Sequence, residues 1–217
     1  MENLRRIRPD LLLLLSLVLM ILLHPILDHG TFRRLFMEVL VFAPVVLATV
    51  TLSEIKAHIW PPVVLMAVAI LFAVAGDVFH NSLFVILKWW VLAAYFAFAV
   101  VGLFGFLRKA GAVTESHLYT AVSIYLLLGM VWYSVYCAID TARPGSVMQG
   151  GAVLVNRTND LLYFSLITLA TIGYGDLVPV DPEVRMLAAL EGLVGVLYIA
   201  ITVAILVSKF RTKEDGQ

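Results

Sequence analysis

Apolar residues run along this chain in long blocks, separated by short polar breaks. A helix needs roughly 20 such residues to cross the hydrocarbon core of a bilayer. Six blocks approach or pass that length: Asp10 to Leu27, Leu35 to Leu52, Ile59 to Ala75, Leu83 to Leu107, His117 to Ile139 and Pro182 to Ser208. A seventh piece, Leu161 to Ile172, is too short to cross. Lying between the fifth and sixth blocks, it is expected to enter and leave on the same side. The pattern predicts an all-α membrane protein with six transmembrane helices and one re-entrant helix.

Composition agrees. Of 217 residues, 62% are hydrophobic and 14% charged, with Lys+Arg 15 balancing Asp+Glu 15. Soluble domains average roughly 45–50% apolar and about 25% charged. A chain this apolar cannot cover a water-facing surface, which excludes an ordinary soluble enzyme, a disordered chain and a nucleic-acid binder relying on positive charge. No nucleophile–base pair, phosphate-cradling loop or zinc spacing is visible. No enzyme activity, cofactor, nucleic-acid partner or soluble substrate is therefore expected, and membrane lipid is the expected surroundings. Cys137 reads as a small packing residue. The five histidines have no metal-ligand spacing, and His24 with His29 is the only close pair.

Arg5-Arg6-Ile7-Arg8 precedes a run of leucines, as in a signal peptide, but no Ala-x-Ala site follows and His24-Pro25 ends the run. The block is expected to be retained as the first span. With a cytoplasmic N-terminus, the inner side carries Arg5, Arg6, Arg8, Lys56, Arg108, Lys109, Lys209, Arg211 and Lys213. The outer side then carries Arg33, Arg34, Arg143, Arg157 and Arg185. This bias toward the inside sets the expected orientation, with both termini cytoplasmic and the re-entrant piece on the outer side. The short loops and small size point to a bacterial plasma membrane.

The re-entrant piece leads into Thr168-Leu169-Ala170-Thr171-Ile172-Gly173-Tyr174-Gly175-Asp176. Thr171-Ile172-Gly173-Tyr174-Gly175 resembles the selectivity filter of the potassium-channel family, Thr-Val-Gly-Tyr-Gly, with Ile in place of Val. The resemblance covers roughly Glu115 to Lys209: a helix, a short pore helix, the filter, Asp176 and a second long helix. It implies a potassium-selective channel whose ion ligands are backbone carbonyls of Thr171, Ile172, Gly173 and Tyr174. It also implies a homotetramer with the pore on its four-fold axis, a closed cyclic assembly. The chain then divides into a four-helix unit, residues 1–110, and a pore module, 111–217, with its pore loop at 158–180. Potassium is the permeant ligand. A non-conducting or regulatory subunit and a weakly selective cation channel stay open as alternatives.

The residues support the resemblance on physical grounds. A dehydrated cation needs oxygens in place of its water, and stacked carbonyls supply them if every C=O turns to one axis. That backbone favours glycine at alternate positions, since glycine accepts positive φ. Gly173 and Gly175 provide it, and the Thr171 hydroxyl adds a further oxygen. Tyr174 is expected to point away from the axis, toward Tyr163 and Phe164 on the pore helix. Asp176 sits just outside the filter, able to hydrogen-bond behind it or to attract cations. Some family members carry a glutamate behind the filter. Ile167 holds the matching position here, so no carboxyl pair with Asp176 can form. Thr158-Asn159-Asp160 suits the start of the pore helix.

Asp181-Pro182-Glu183 marks the start of the last helix. Gly195 matches the family's gating-hinge glycine, with Gly192 a turn earlier; close helix packing is the other reading of both. Helical spacing from Gly195 puts Val196, Ile199, Val203 and Val207 on one stripe, an apolar constriction if it faces the axis. Glu191, an acid inside the span, reads either as a hydrogen-bonded brace behind the pore helix or as an ion-handling group. Arg185 is expected to pair with a carboxylate at the outer mouth. In the fourth block only Lys88 is charged, so a strongly voltage-dependent gate is not expected; each gating charge responds by about 2.3 kcal/mol per 100 mV. Glu38, Asp77 and Lys88 lie toward span ends, where snorkelling is expected. The nine residues after Ser208 are too few for a regulatory domain.

Overall fold

The computed structural model describes residues 8–25, 33–54, 60–109, 113–154 and 157–214. Among the described residues, seven helices and three short strands are formed. They are α1 Pro9–Leu23, α2 Arg33–Glu54, α3 Trp60–Phe79, α4 Ser82–Lys109, α5 Glu115–Ala142, β1 Val147–Gln149, β2 Ala152–Val153, α6 Arg157–Leu169, β3 Leu177–Pro179 and α7 Pro182–Glu214. The N-terminal cations Arg5 and Arg6, the end of the first block at Ile26 and Leu27, His29, Lys56, Ile59 and the expected boundary at 110–111 lie outside the described residues.

Among the described residues, four helices are long and apolar enough to cross a membrane: α3, the Ser82–Arg108 part of α4, α5 and the Pro182–Ser208 part of α7. Helix α1 has 15 residues and α2 has 22, with the apolar stretch Val41–Ser53 inside it.

α4 and α5 form the central antiparallel pair. On α4 the buried residues Trp89, Leu92, Phe96, Ala99 and Leu103 recur at alternating steps of three and four, a single seam. Hydrophobicity alone does not bring helices together in lipid, so close packing and interhelical hydrogen bonds carry the association. Tyr95 supplies such a bond: its hydroxyl meets Thr49 Oγ1 at 2.8 Å and donates to the Val45 carbonyl, tying α4 to α2. α1 packs on α2 and α5 through Leu13, Leu17 and Met20. At one end of α1, Arg8 pairs with Glu115 at 3.0 Å, at the start of α5. At the other end, buried His24 meets Asn159 at the start of α6 through Nδ1.

The sheet is an addition to the expected all-α architecture. Its order is β2-β1-β3, all antiparallel. Gly150 and Gly151, at φ 55° and 83°, make the two-residue turn between β1 and β2. Val147 pairs with Pro179, Met148 with Val178 and Gln149 with Leu177. The backbone just after the filter motif is therefore clamped to the backbone that precedes α6. Val180 N–H extends the clamp to the Ser146 carbonyl at 2.9 Å.

Candidate functional site

Helix α6 ends at Leu169 and its last carbonyls set up the motif. Ile167 O accepts from Ile172 N–H at 2.8 Å and from Gly173 N–H at 3.3 Å, while Thr171 N–H donates to Thr168 O at 2.9 Å. The chain then turns sharply out of the helix. Thr171, Gly173 and Gly175 have φ of 57°, 50° and 79°. Left-handed residues thus fall at every second position of the segment. Thr171 is the unexpected member. A β-branched residue in this region is a genuine outlier, and such outliers concentrate at functional sites. From Thr171 to Asp176 the segment is exposed, with Ile172 53% and Tyr174 72% accessible.

Tyr163 and Phe164 face different ways. Tyr163 is 37% exposed. Phe164 is buried and meets Tyr136 of α5 edge-on, ring centroids 5.1 Å apart. Thr158, Asn159 and Asp160 lie inside the first turn of α6, which begins at Arg157 and not at this triplet.

Behind α6 stands Glu191, fully buried. Tyr136 donates to its Oε2 at 2.6 Å, and Ser165 Oγ lies 2.6 Å from its Oε1. Ser165 Oγ is also 2.9 Å from the Gly129 carbonyl. One acid thus joins α5, α6 and α7. Tyr125 adds a second tie, donating to the Leu169 carbonyl at 3.2 Å. Gly195 is pressed on the same carbonyl: a Cβ there would stand 2.0 Å from Leu169 O. At Gly192 an added Cβ meets Thr168 O at 3.5 Å, an ordinary contact. Val196, Ile199, Val203 and Val207 form an exposed stripe further along α7, although Leu193, Leu197 and Ile201 on other faces are equally open.

The loop before α6 is braced by Asp140, whose side chain is 2% exposed. It accepts from Gly145 N–H at 3.0 Å, Ser146 Oγ at 3.2 Å and Arg157 Nε at 2.7 Å. Removing the cation strands this carboxylate. Arg157→Ala is expected to cost about 2–4 kcal/mol, below the fully buried case because Arg157 is partly exposed. Thermal unfolding in detergent would read the loss, and an unchanged midpoint would contradict it. At the start of α7 it is Arg143, not Arg185, that meets the carboxylates: it pairs with Glu183 and, at 3.3 Å, with Asp181. The hydrogen bond to Glu183 holds the guanidinium above its ordinary value.

Sequence reasoning singled out Glu191 but not its partners Tyr136 and Ser165. It also missed the Asp140–Arg157 pair and the His24–Asn159 contact. Only a Gly-Gly pair between short β-prone runs signalled the hairpin.

Comparison with known proteins places this geometry. Residues 120–212 match the family model described as ion channel. The inward rectifier potassium channel Kirbac3.1 of Paramagnetospirillum magnetotacticum is 34% identical over 97 residues, 43% of this chain and 29% of that protein. Two pore potassium channel a of Oryza sativa subsp. japonica is 35% identical over 82 residues, 37% of this chain and 20% of that protein. Potassium voltage-gated channel subfamily KQT member 3 of Homo sapiens is 47% identical over 58 residues, 27% of this chain and 7% of that protein. The chain spans under a third of each of these relatives. No solved structure matches it significantly. The described residues are mostly helical with four helices of spanning length, which together with this match indicates an integral membrane protein whose residues 120–212 are similar to ion channels. More narrowly, this part of the chain is similar to potassium channels.

Proposed function

We propose that this protein is a potassium-selective channel, with ions passing down their gradient along the carbonyls of Thr171, Ile172, Gly173 and Tyr174. The observation that carries the reading is the alternation of positive φ at Thr171, Gly173 and Gly175 on an exposed segment. Carbonyl oxygens turned to one side replace the hydration shell of a cation, and their dipoles need no reorganisation as it moves. Gly175 closes the outer end. Asp176 faces the outer mouth. The C-terminal end of α6 points its partial negative charge at the inner cavity.

One chain supplies one carbonyl per level, so a ring of ligands requires several copies. Four-fold closure follows from the family resemblance, and the exposed Ile172 and Tyr174 are side chains that neighbouring copies would cover. Residues 111–217 form the pore module, and residues 1–110 form the unit that flanks it. Six crossings are supported by the two ends of α1. Arg8 at one end meets the start of α5, and His24 at the other meets the start of α6. Even at 15 helical residues, α1 therefore reaches from the level where α5 begins to the level where the pore helix begins. Both termini are placed in the cytoplasm by the positive-inside bias, in a bacterial plasma membrane. Val196, Ile199, Val203 and Val207 line the inner pathway. Gly192 and Gly195 let α7 approach α6, and any bending of α7 starts there.

Purified chain in potassium-loaded liposomes tests the function, with valinomycin marking total accessible potassium. Potassium efflux far above sodium efflux is expected. Equal fluxes would remove selectivity, and no flux would favour a regulatory subunit.

A further inference from the structure

We propose that Glu191 is a neutral, protonated acid, and that in this form it is the positioning residue that seats the pore helix between α5 and α7. The inference rests on the pore-loop reading above, which gives the seat its importance.

Proton counting carries it. Three short oxygen–oxygen contacts run in a chain: Tyr136 hydroxyl to Glu191 Oε2 at 2.6 Å, Glu191 Oε1 to Ser165 Oγ at 2.6 Å, and Ser165 Oγ to Gly129 O at 2.9 Å. Each contact needs one proton between its oxygens. The Gly129 carbonyl can only accept, and the two hydroxyls bring one proton each. If Glu191 were a carboxylate, two protons would serve three contacts. Ser165 would then face two acceptors with one hydrogen. A proton on Oε1 completes the set. Glu191 donates to Ser165, Ser165 donates to Gly129 O, and Tyr136 donates to Oε2.

The surroundings point the same way. Glu191 is fully buried and, among the described residues, no Lys, Arg or His pairs with it. The groups facing it are Tyr136 and, at longer range, Tyr125 from α5, with Ser165 from α6. None is cationic, and an uncompensated carboxylate there would be heavily penalised. Ser165 lies six residues before Thr171 on the helix that delivers the chain into the filter. Losing the proton leaves one contact repulsive and loosens that helix. The seat therefore holds at neutral pH and fails as pH rises.

Two measurements test this on the full-length chain in lipid. The infrared spectrum at neutral pH is expected to contain the C=O stretch of a protonated carboxyl that E191Q lacks. That band should disappear on alkaline titration. In potassium flux, E191Q supplies an amide N–H for Ser165 and a carbonyl for Tyr136, and is expected to stay within about twofold of wild type. S165A and E191A, which break the chain of contacts, are expected to fall about tenfold. Wild-type flux should decline at alkaline pH, and E191Q flux should not. A carboxylate signature at neutral pH overturns the proposal, as does E191Q flux as low as that of E191A. If E191A fails to fold, the band and the E191Q pH profile still decide. The band does not depend on conduction: an acid band with no wild-type flux sinks the channel reading and keeps this one, while flux without the band does the reverse.

Discussion

Gly195→Ala is expected to cut potassium flux at least about tenfold, whereas Gly192→Ala, three residues away on the same helix, is expected to conduct. The two glycines differ in what a methyl group meets. At Gly192 the nearest atoms are Thr168 O at 3.5 Å and Thr171 Cγ2 at 3.8 Å, both ordinary contacts. At Gly195 the methyl group would lie 2.0 Å from Leu169 O and 3.0 Å from its carbon. These are backbone atoms at the end of a helix, so no rotamer change relieves the clash, and α6 and α7 must separate by more than 1 Å to restore normal contact. Overpacking of this kind costs about 1–3 kcal/mol or more per site. The displaced carbonyl also loses its bond from Tyr125, and it lies two residues before Thr171. Flux of Gly195→Ala is therefore expected to drop at least about tenfold, with a lowered melting temperature in detergent. Normal flux from this variant would contradict the close α6–α7 contact.

Gly173→Ala is the second large effect, and its cause is different. No atom stands within 4 Å of a Cβ at this position, so the methyl group has room. The obstacle is φ of 50°, which costs an L-residue with a side chain about 1–2 kcal/mol. That alone is modest. If four chains must hold the conformation together, the penalty adds to about 4–8 kcal/mol, and intact filters become at least about a thousandfold rarer. Flux is expected to fall to background while helix content and subunit assembly stay as in wild type. Thr171 already bears the same kind of penalty, which a free loop would have no reason to retain. A conducting Gly173→Ala protein would show that the motif is an ordinary turn.

Much of the helical framework was legible because apolar blocks have sharp polar edges. The expected blocks 83–107 and 117–139 became Ser82–Lys109 and Glu115–Ala142, and the short piece 161–172 became Arg157–Leu169 followed by the exposed turn. The motif Thr171 to Gly175 stood out through its resemblance to a known family, and Gly173 and Gly175 do take positive φ. The sheet was not, since strands of two or three residues carry no period to read. The brace around Glu191 was half legible. An acid in an apolar run marks itself, but Ser165 and Tyr136 lie 26 and 55 residues away, and nothing local distinguishes them from other hydroxyls. Asn159, read as part of a helix start, also meets His24, 135 residues distant. Such contacts depend on how helices are arranged, which hydropathy does not encode.

Selective conduction by this chain requires main-chain oxygens of four consecutive residues to hold a dehydrated cation. A density map of the purified protein in lipid with thallium or rubidium replacing potassium tests this most directly. The expected result is a row of ion peaks along a four-fold axis, level with the carbonyls of Thr171, Ile172, Gly173 and Tyr174. A map in which this segment lies on the outside of the particle, or in which no axis passes between copies of it, would contradict the account.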